Sequence, residues 1–135
     1  MKDREPTGIV LPIRPKHLKR IMNGANIVCK NVGPHLKKIK SVIKKGMKFY
    51  IYETSPKSEI SAKAEIESVE FLTFSELFKK YRASQCFASH SEIRKYMESA
   101  PDRKMMVLKL KRINFKLKTK PAFPNPTLGH QYIYS

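Results

Sequence analysis

Apolar positions along this chain recur with two periods, and the switches between them mark the elements. Gly8-Ile9-Val10-Leu11-Pro12-Ile13 is a short β-branched run closed by Pro12 and Pro15, which predicts a buried strand. Pro15 suits a first helical position, Leu18, Ile21 and Met22 fall at helical spacing, and Asn23-Gly24 supplies a left-handed stop, so a helix of about eight residues should follow. Ile27-Val28-Cys29 reads as a second strand, ended by turn chemistry at Val32-Gly33-Pro34. Leu36, Ile39, Val42 and Ile43 return at helical intervals until Gly46, and Phe49-Tyr50-Ile51-Tyr52 follows as a strand. Thr54 to Ser58 is a hairpin turn. Beyond it, Ile60, Ala62, Ala64 and Ile66 alternate with Ser61, Lys63, Glu65 and Glu67, the pattern of a strand with one wet face. Thr73 with Glu76, and Ser89 with Glu92, are capping-box spacings that open helices over Phe74 to Tyr81 and through Ile93, Tyr96 and Met97. Met105 to Ile113 closes the series as a long strand.

From Phe115 the composition turns to Lys, Pro and isolated aromatics, and Pro121, Pro124 and Pro126 prevent regular structure. The expectation is one domain over residues 1–114 and a basic, Pro-rich tail over 115–135, extended, with Tyr132-Ile133-Tyr134 docking on the domain. Apolar residues at 41% of 135 are enough for a single core.

Charge changes the picture most. Lys and Arg number 28 against 11 Asp and Glu, a net charge of +17 that solubility does not require and that a polyanionic partner explains. No apolar run approaches the roughly 18 residues of a membrane span, and nothing behind the charged start resembles a signal peptide, so a cytoplasmic protein with no membrane partner is expected. Cys29 and Cys86 are isolated, without metal-ligand spacing around them, so neither a metal site, a cofactor nor a disulfide framework is implied.

The cations concentrate in two places. Arg14, Lys16, Lys19 and Arg20 lie on or just before the first helix, at positions its apolar stripe leaves over, and long cationic side chains there can track a phosphate backbone. Lys30, Lys37, Lys38, Lys40, Lys44 and Lys45 widen that surface; a solvated helix face is the plainer account of any one of them. Tyr50 and Tyr52 share one face of their strand, where they either stack an unpaired base or pack in the core. His17, His35 and His90 lack the partners of a Ser-His-Asp or metal arrangement, so no catalytic residue is assigned, and Ser84, Ser89 and Ser91 read as turn and cap residues.

The order of strand, basic helix, strands, two short helices and final strand resembles the ASCH and PUA-like superfamily. Leu11-Pro12-Ile13-Arg14-Pro15-Lys16-His17-Leu18 through Asn23-Gly24 is similar to its first strand and helix, and Lys48 to Tyr52 to its central strand. Glu76 to Tyr81, Ser91-Glu92-Ile93-Arg94-Lys95-Tyr96 and Val107 to Lys111 are similar to its closing helices and last strand. The resemblance spans about positions 8 to 113. It implies an α+β fold, a mixed, mostly antiparallel β-barrel with short flanking helices, and RNA binding in the cleft beside the first helix and second strand. Some members are amidohydrolases acting on acetylated cytidine through Lys, Thr and Glu. Here Gly24 is followed by Ala25-Asn26-Ile27-Val28-Cys29-Lys30-Asn31, where only Lys30 stands in for a family Arg and none of those three residues falls in place. An RNA-binding module is therefore the leading expectation. The alternatives are a nucleoside- or RNA-directed hydrolase of the ASCH type, or a protein-interaction module using the tail.

Overall fold

The computed structural model describes residues 6–55, 58–115 and 131–133. Its strands are β1 (Gly8–Ile13), β2 (Ile27–Lys30), β3 (Lys48–Glu53), β4 (Glu59–Leu72), β5 (Met105–Asn114) and β6 (Gln131–Ile133). Its α-helices are α1 (Pro15–Met22), α2 (Leu36–Val42), α3 (Phe74–Lys80) and α4 (His90–Tyr96), with 3-10 turns at Gly33–His35 and Ala83–Gln85. All six strands join one sheet in the order β2-β5-β4-β3-β1-β6, in which β1 and β3 run parallel and the other pairs antiparallel.

The expected barrel is thus corrected to an open one. The sheet curls, but β1 and β2 stand at separate places in its order with no pairing between them among the described residues. The β4–β5 ladder shifts register twice, between Lys63 and Glu65, where β5 holds the extra residue, and between Ile66 and Ser68, where β4 does. Such bulges bend a strand and raise its twist. They also change which residues face inward: Ala62, Ala64 and Ile66 line the inner core, whereas beyond the bulge Val69 and Phe71 do.

Both faces of the β2–β5 pair are covered. Val28, Met106 and Leu108 join the inner core with α1 and α2, while Ile27, Cys29, Met105 and Val107 join an outer core under α3 and α4. Two-sided burial explains why these strands read as nearly unbroken apolar runs. Both expected capping boxes form, Thr73 with Glu76 and Ser89 with Glu92.

Of the tail, Gln131–Ile133 pairs with Gly8–Val10, so the chain end docks as an edge strand beside β1. The rest of the expected extended tail, residues 116–130 and 134–135, lies outside the described residues.

Candidate functional site

Where the half-barrel fails to close, Leu11, Pro12 and Ile13 of β1 and Val28, Cys29 and Lys30 of β2 line a shared cleft of about 260 Å³. Arg14 and His17 from the start of α1 form one wall, and Phe87, Ala88, Glu92, Ile93 and Tyr96 form the other. The cleft lies beside α1 and β2.

Glu92 ties the walls together. Its Oε1 accepts from the Ser89 N–H at 3.2 Å, completing the capping box of α4, and its Oε2 lies 2.8 Å from Lys16 Nζ and 3.1 Å from His17 Nε2. Lys16 and then His17 hold this carboxyl well below the usual carboxylate range. The His17 ring also meets Phe87 edge to face, with centroids 5.1 Å apart. Tyr96 is exposed at the rim, its ring fixed because the hydroxyl accepts from the Asn31 N–H at 3.3 Å. The cleft therefore carries two aromatic rings and an imidazole beside two cations.

Those cations differ. Arg14 is exposed, whereas Lys30 is half-buried, and burial lowers its ammonium below the usual lysine value. Cys29 is buried, and burial, with the Cys86 thiol nearby, pushes its thiol up to about 12.

The other expected contacts are spread more widely. Lys19 is exposed on α1 away from the cleft lining. Arg20 is a brace: its Nε donates to the Cys86 carbonyl at 3.1 Å and its Nη2 to the Ala83 carbonyl at 2.6 Å. Lys37, Lys38, Lys40, Lys44 and Lys45 are exposed on and after α2. Lys40, Lys44 and Lys45 border a shallow depression against Phe71 and Val69 that shares no residue with the cleft, and Lys40 Nζ sits 5.2 Å from the Phe71 ring centre. Tyr52 is buried, and half-buried Tyr50 carries Lys63 Nζ 5.9 Å from its ring centre. His35 is exposed, and His90 stacks on Phe78 with centroids 3.9 Å apart.

Sequence reasoning missed Phe87, Tyr96 and the outward reach of Glu92. The last had a signal: a capping-box Glu uses one oxygen on its own helix and leaves the other for a neighbour.

The fold is shared with crystal structures of an ASCH protein. The crystal structure of ASCH from Zymomonas mobilis superposes with a TM-score of 0.71 at 17% identity, covering 94% of this chain and 87% of that one. A Ser-to-Ala variant of the same Zymomonas mobilis protein gives 0.73 at 16% identity, with 97% and 91% covered. A Tyr-to-Phe variant gives 0.71 at 16%, with 94% and 90% covered. No curated protein matches the chain. Among the described residues no helix is long and apolar enough to cross a membrane. A family model described as a domain of unknown function (DUF365) matches residues 6–135, nearly the whole chain, and the chain belongs to that family.

Proposed function

We propose that the chain is an RNA-binding module whose cleft takes one unpaired nucleotide while the surrounding cations hold its phosphates. The observation that carries this reading is the meeting of Phe87, Tyr96 and His17 with Arg14 and Lys30 in one cleft of a chain with net charge +17. Aromatic rings stack any base, and cations beside them fix the backbone. At about 260 Å³ the cleft falls below the roughly 300 Å³ at which drug-sized pockets begin, a scale suited to a single base and not to a duplex. Lys16, Lys19 and the lysines 37, 38, 40, 44 and 45 supply the wider field that draws and retains the strand.

Fluorescence anisotropy with single-stranded RNA, hairpin RNA and duplex DNA at several salt concentrations tests the reading, using the Arg14→Ala, Lys30→Ala and Phe87→Ala variants. Preference for RNA with unpaired nucleotides, surviving moderate salt and weakened by each variant, supports it. Equal, salt-erased binding to every polyanion would reduce the charge to a non-specific field.

A hydrolase is the second reading, favoured by the His17–Glu92 contact inside the cleft. A carboxylate that orients an imidazole is the arrangement of a general base. RNA that stays intact, and acetylated cytidine that is not deacylated, after long incubation with the wild-type protein would remove this reading. Cleavage lost in His17→Gln with binding retained would establish it.

A further inference from the structure

The outer edge of β2 carries an unused pair of main-chain groups. The Leu110 N–H donates to the Asn26 carbonyl at 2.8 Å, which sets the phase of the β2–β5 ladder: the Asn26 carbonyl and the main-chain groups of Val28 and Lys30 face β5, those of Ile27 and Cys29 turn outward, and the Asn26 N–H goes to the Gln85 carbonyl at 3.0 Å. The Ile27 carbonyl is taken by the Phe87 N–H at 2.8 Å. There the pairing stops. Ile27 and Cys86 form an isolated bridge, and the next N–H that would continue it, that of Ser89, goes instead to the Glu92 side chain. Among the described residues no main-chain group outside the ladder bonds the N–H or C=O of Cys29. The two groups open onto the gap between β2 and Phe87-Ala88, which is part of the cleft.

The side chain of Cys29 packs in the outer core with Ile93, Met97 and Val107, of which Ile93 also lines the cleft. A thiol kept protonated by burial is a poor nucleophile. The chemistry the residue adds is that of its backbone, a donor and an acceptor side by side in a residue only 7% exposed. Buried main-chain groups left without partners are costly, so a ligand that satisfies both is favoured over one that satisfies neither.

We infer that the Cys29 main chain grips the Watson–Crick edge of one unpaired nucleobase, the N–H donating to a ring nitrogen or carbonyl and the C=O accepting from the adjacent N–H. Each of the four bases presents a neighbouring donor and acceptor on that edge. The contact therefore selects for an open, unmodified edge and not for one sequence, and Phe87 and Tyr96 are placed to take the base's faces. The inference rests on the RNA-binding reading and adds the atoms that hold the base.

The test compares a short oligouridine with the same oligomer built from 3-methyluridine, whose methyl group blocks the ring N–H, by anisotropy and by the Cys29 amide signal in a ¹H–¹⁵N spectrum of the full chain. Methylation should weaken binding about ten-fold. The Cys29 amide should move with oligouridine and not with its methylated form, and Cys29→Ala, which keeps the backbone, should show the same discrimination. Equal binding of both oligomers with an unmoved amide overturns the inference and leaves the RNA-binding reading standing. Loss of discrimination in a folded Cys29→Ala variant overturns it too, because the side chain would then be the reader. Failure of both oligomers and of structured RNA to bind at low salt overturns both. An extended peptide that moves the same amide and displaces the RNA would make this a strand-docking edge, again overturning it.

Discussion

Glu92 divides its two oxygens between elements, one closing the cap of α4 and the other receiving Lys16 and His17 from α1. Its carboxyl is held below the ordinary range, so in the folded protein it stays ionised after an unfolded chain would have taken up a proton. The stabilisation is therefore complete above the unfolded value of about 4.3 and is lost as pH falls through the lower folded value. With Glu92 one-third exposed and Lys16 mostly exposed, Glu92→Gln should cost about 0.5–1 kcal/mol at pH 7. Urea titrations should show the difference from wild type shrinking below about pH 4. Arg20 behaves differently, as its guanidinium is engaged by two carbonyls of the Ala83–Cys86 segment. Arg20→Ala should lower stability by about 1–3 kcal/mol in denaturant titrations. It should leave the salt dependence of RNA binding unchanged, whereas a phosphate contact would show the reverse. Arg14 and Lys30 were legible in the sequence because a cation beside a predicted helix or strand end announces itself. Phe87 was not, because it lies in an irregular segment between a turn and a cap and reaches β2 only through the fold.

At the scale of elements, local punctuation decided what could be read. The bounds of β1 and α1 follow from Gly8, Pro15 and Asn23-Gly24, and both capping helices follow from Thr73 and Ser89. The second half of β4 was illegible for a physical reason: its bulge moves the inward-facing residues from even to odd numbers, and a period broken in mid-strand leaves no alternation to recognise. A matching irregularity sits on β5. Between the pairs Lys63–Asn114 and Glu65–Lys111 the β5 side holds an extra residue, and Arg112 takes it up with φ +53°. An L side chain in that left-handed region is strained by about 1–2 kcal/mol. Arg112 also bonds Glu65 at 3.1 Å, so the fair comparison is between two variants that both lose the pair. Arg112→Gly should be more stable than Arg112→Ala by about 1 kcal/mol, read from thermal or urea midpoints.

For the molecule as a whole, the cleft and the α2 lysines present two cationic regions that share no lining residue. If the strand held at the cleft also runs past α2, reversing Lys37, Lys38 and Lys40 to Glu should reduce the slope of log affinity against log salt by about 2 for single-stranded RNA. The same change should leave the 3-methyluridine discrimination intact. An unchanged slope would confine the interface to the cleft. The open sheet has one more consequence, which concerns how the protein keeps to itself. A curled sheet that never closes leaves a strand edge exposed to other chains, the usual route to edge-to-edge aggregation. Here β2 has only four residues; Phe87 covers the edge at Ile27 and the Tyr96 hydroxyl covers it at Asn31, leaving the single residue Cys29 between them with the Lys30 ammonium beside it. One open residue is enough to hold a base and too short to template a second strand. Lys30→Val removes the adjacent charge, so light scattering on the concentrated variant should show self-association that wild type resists, and the residue we propose as a ligand contact would then also keep the protein from self-associating.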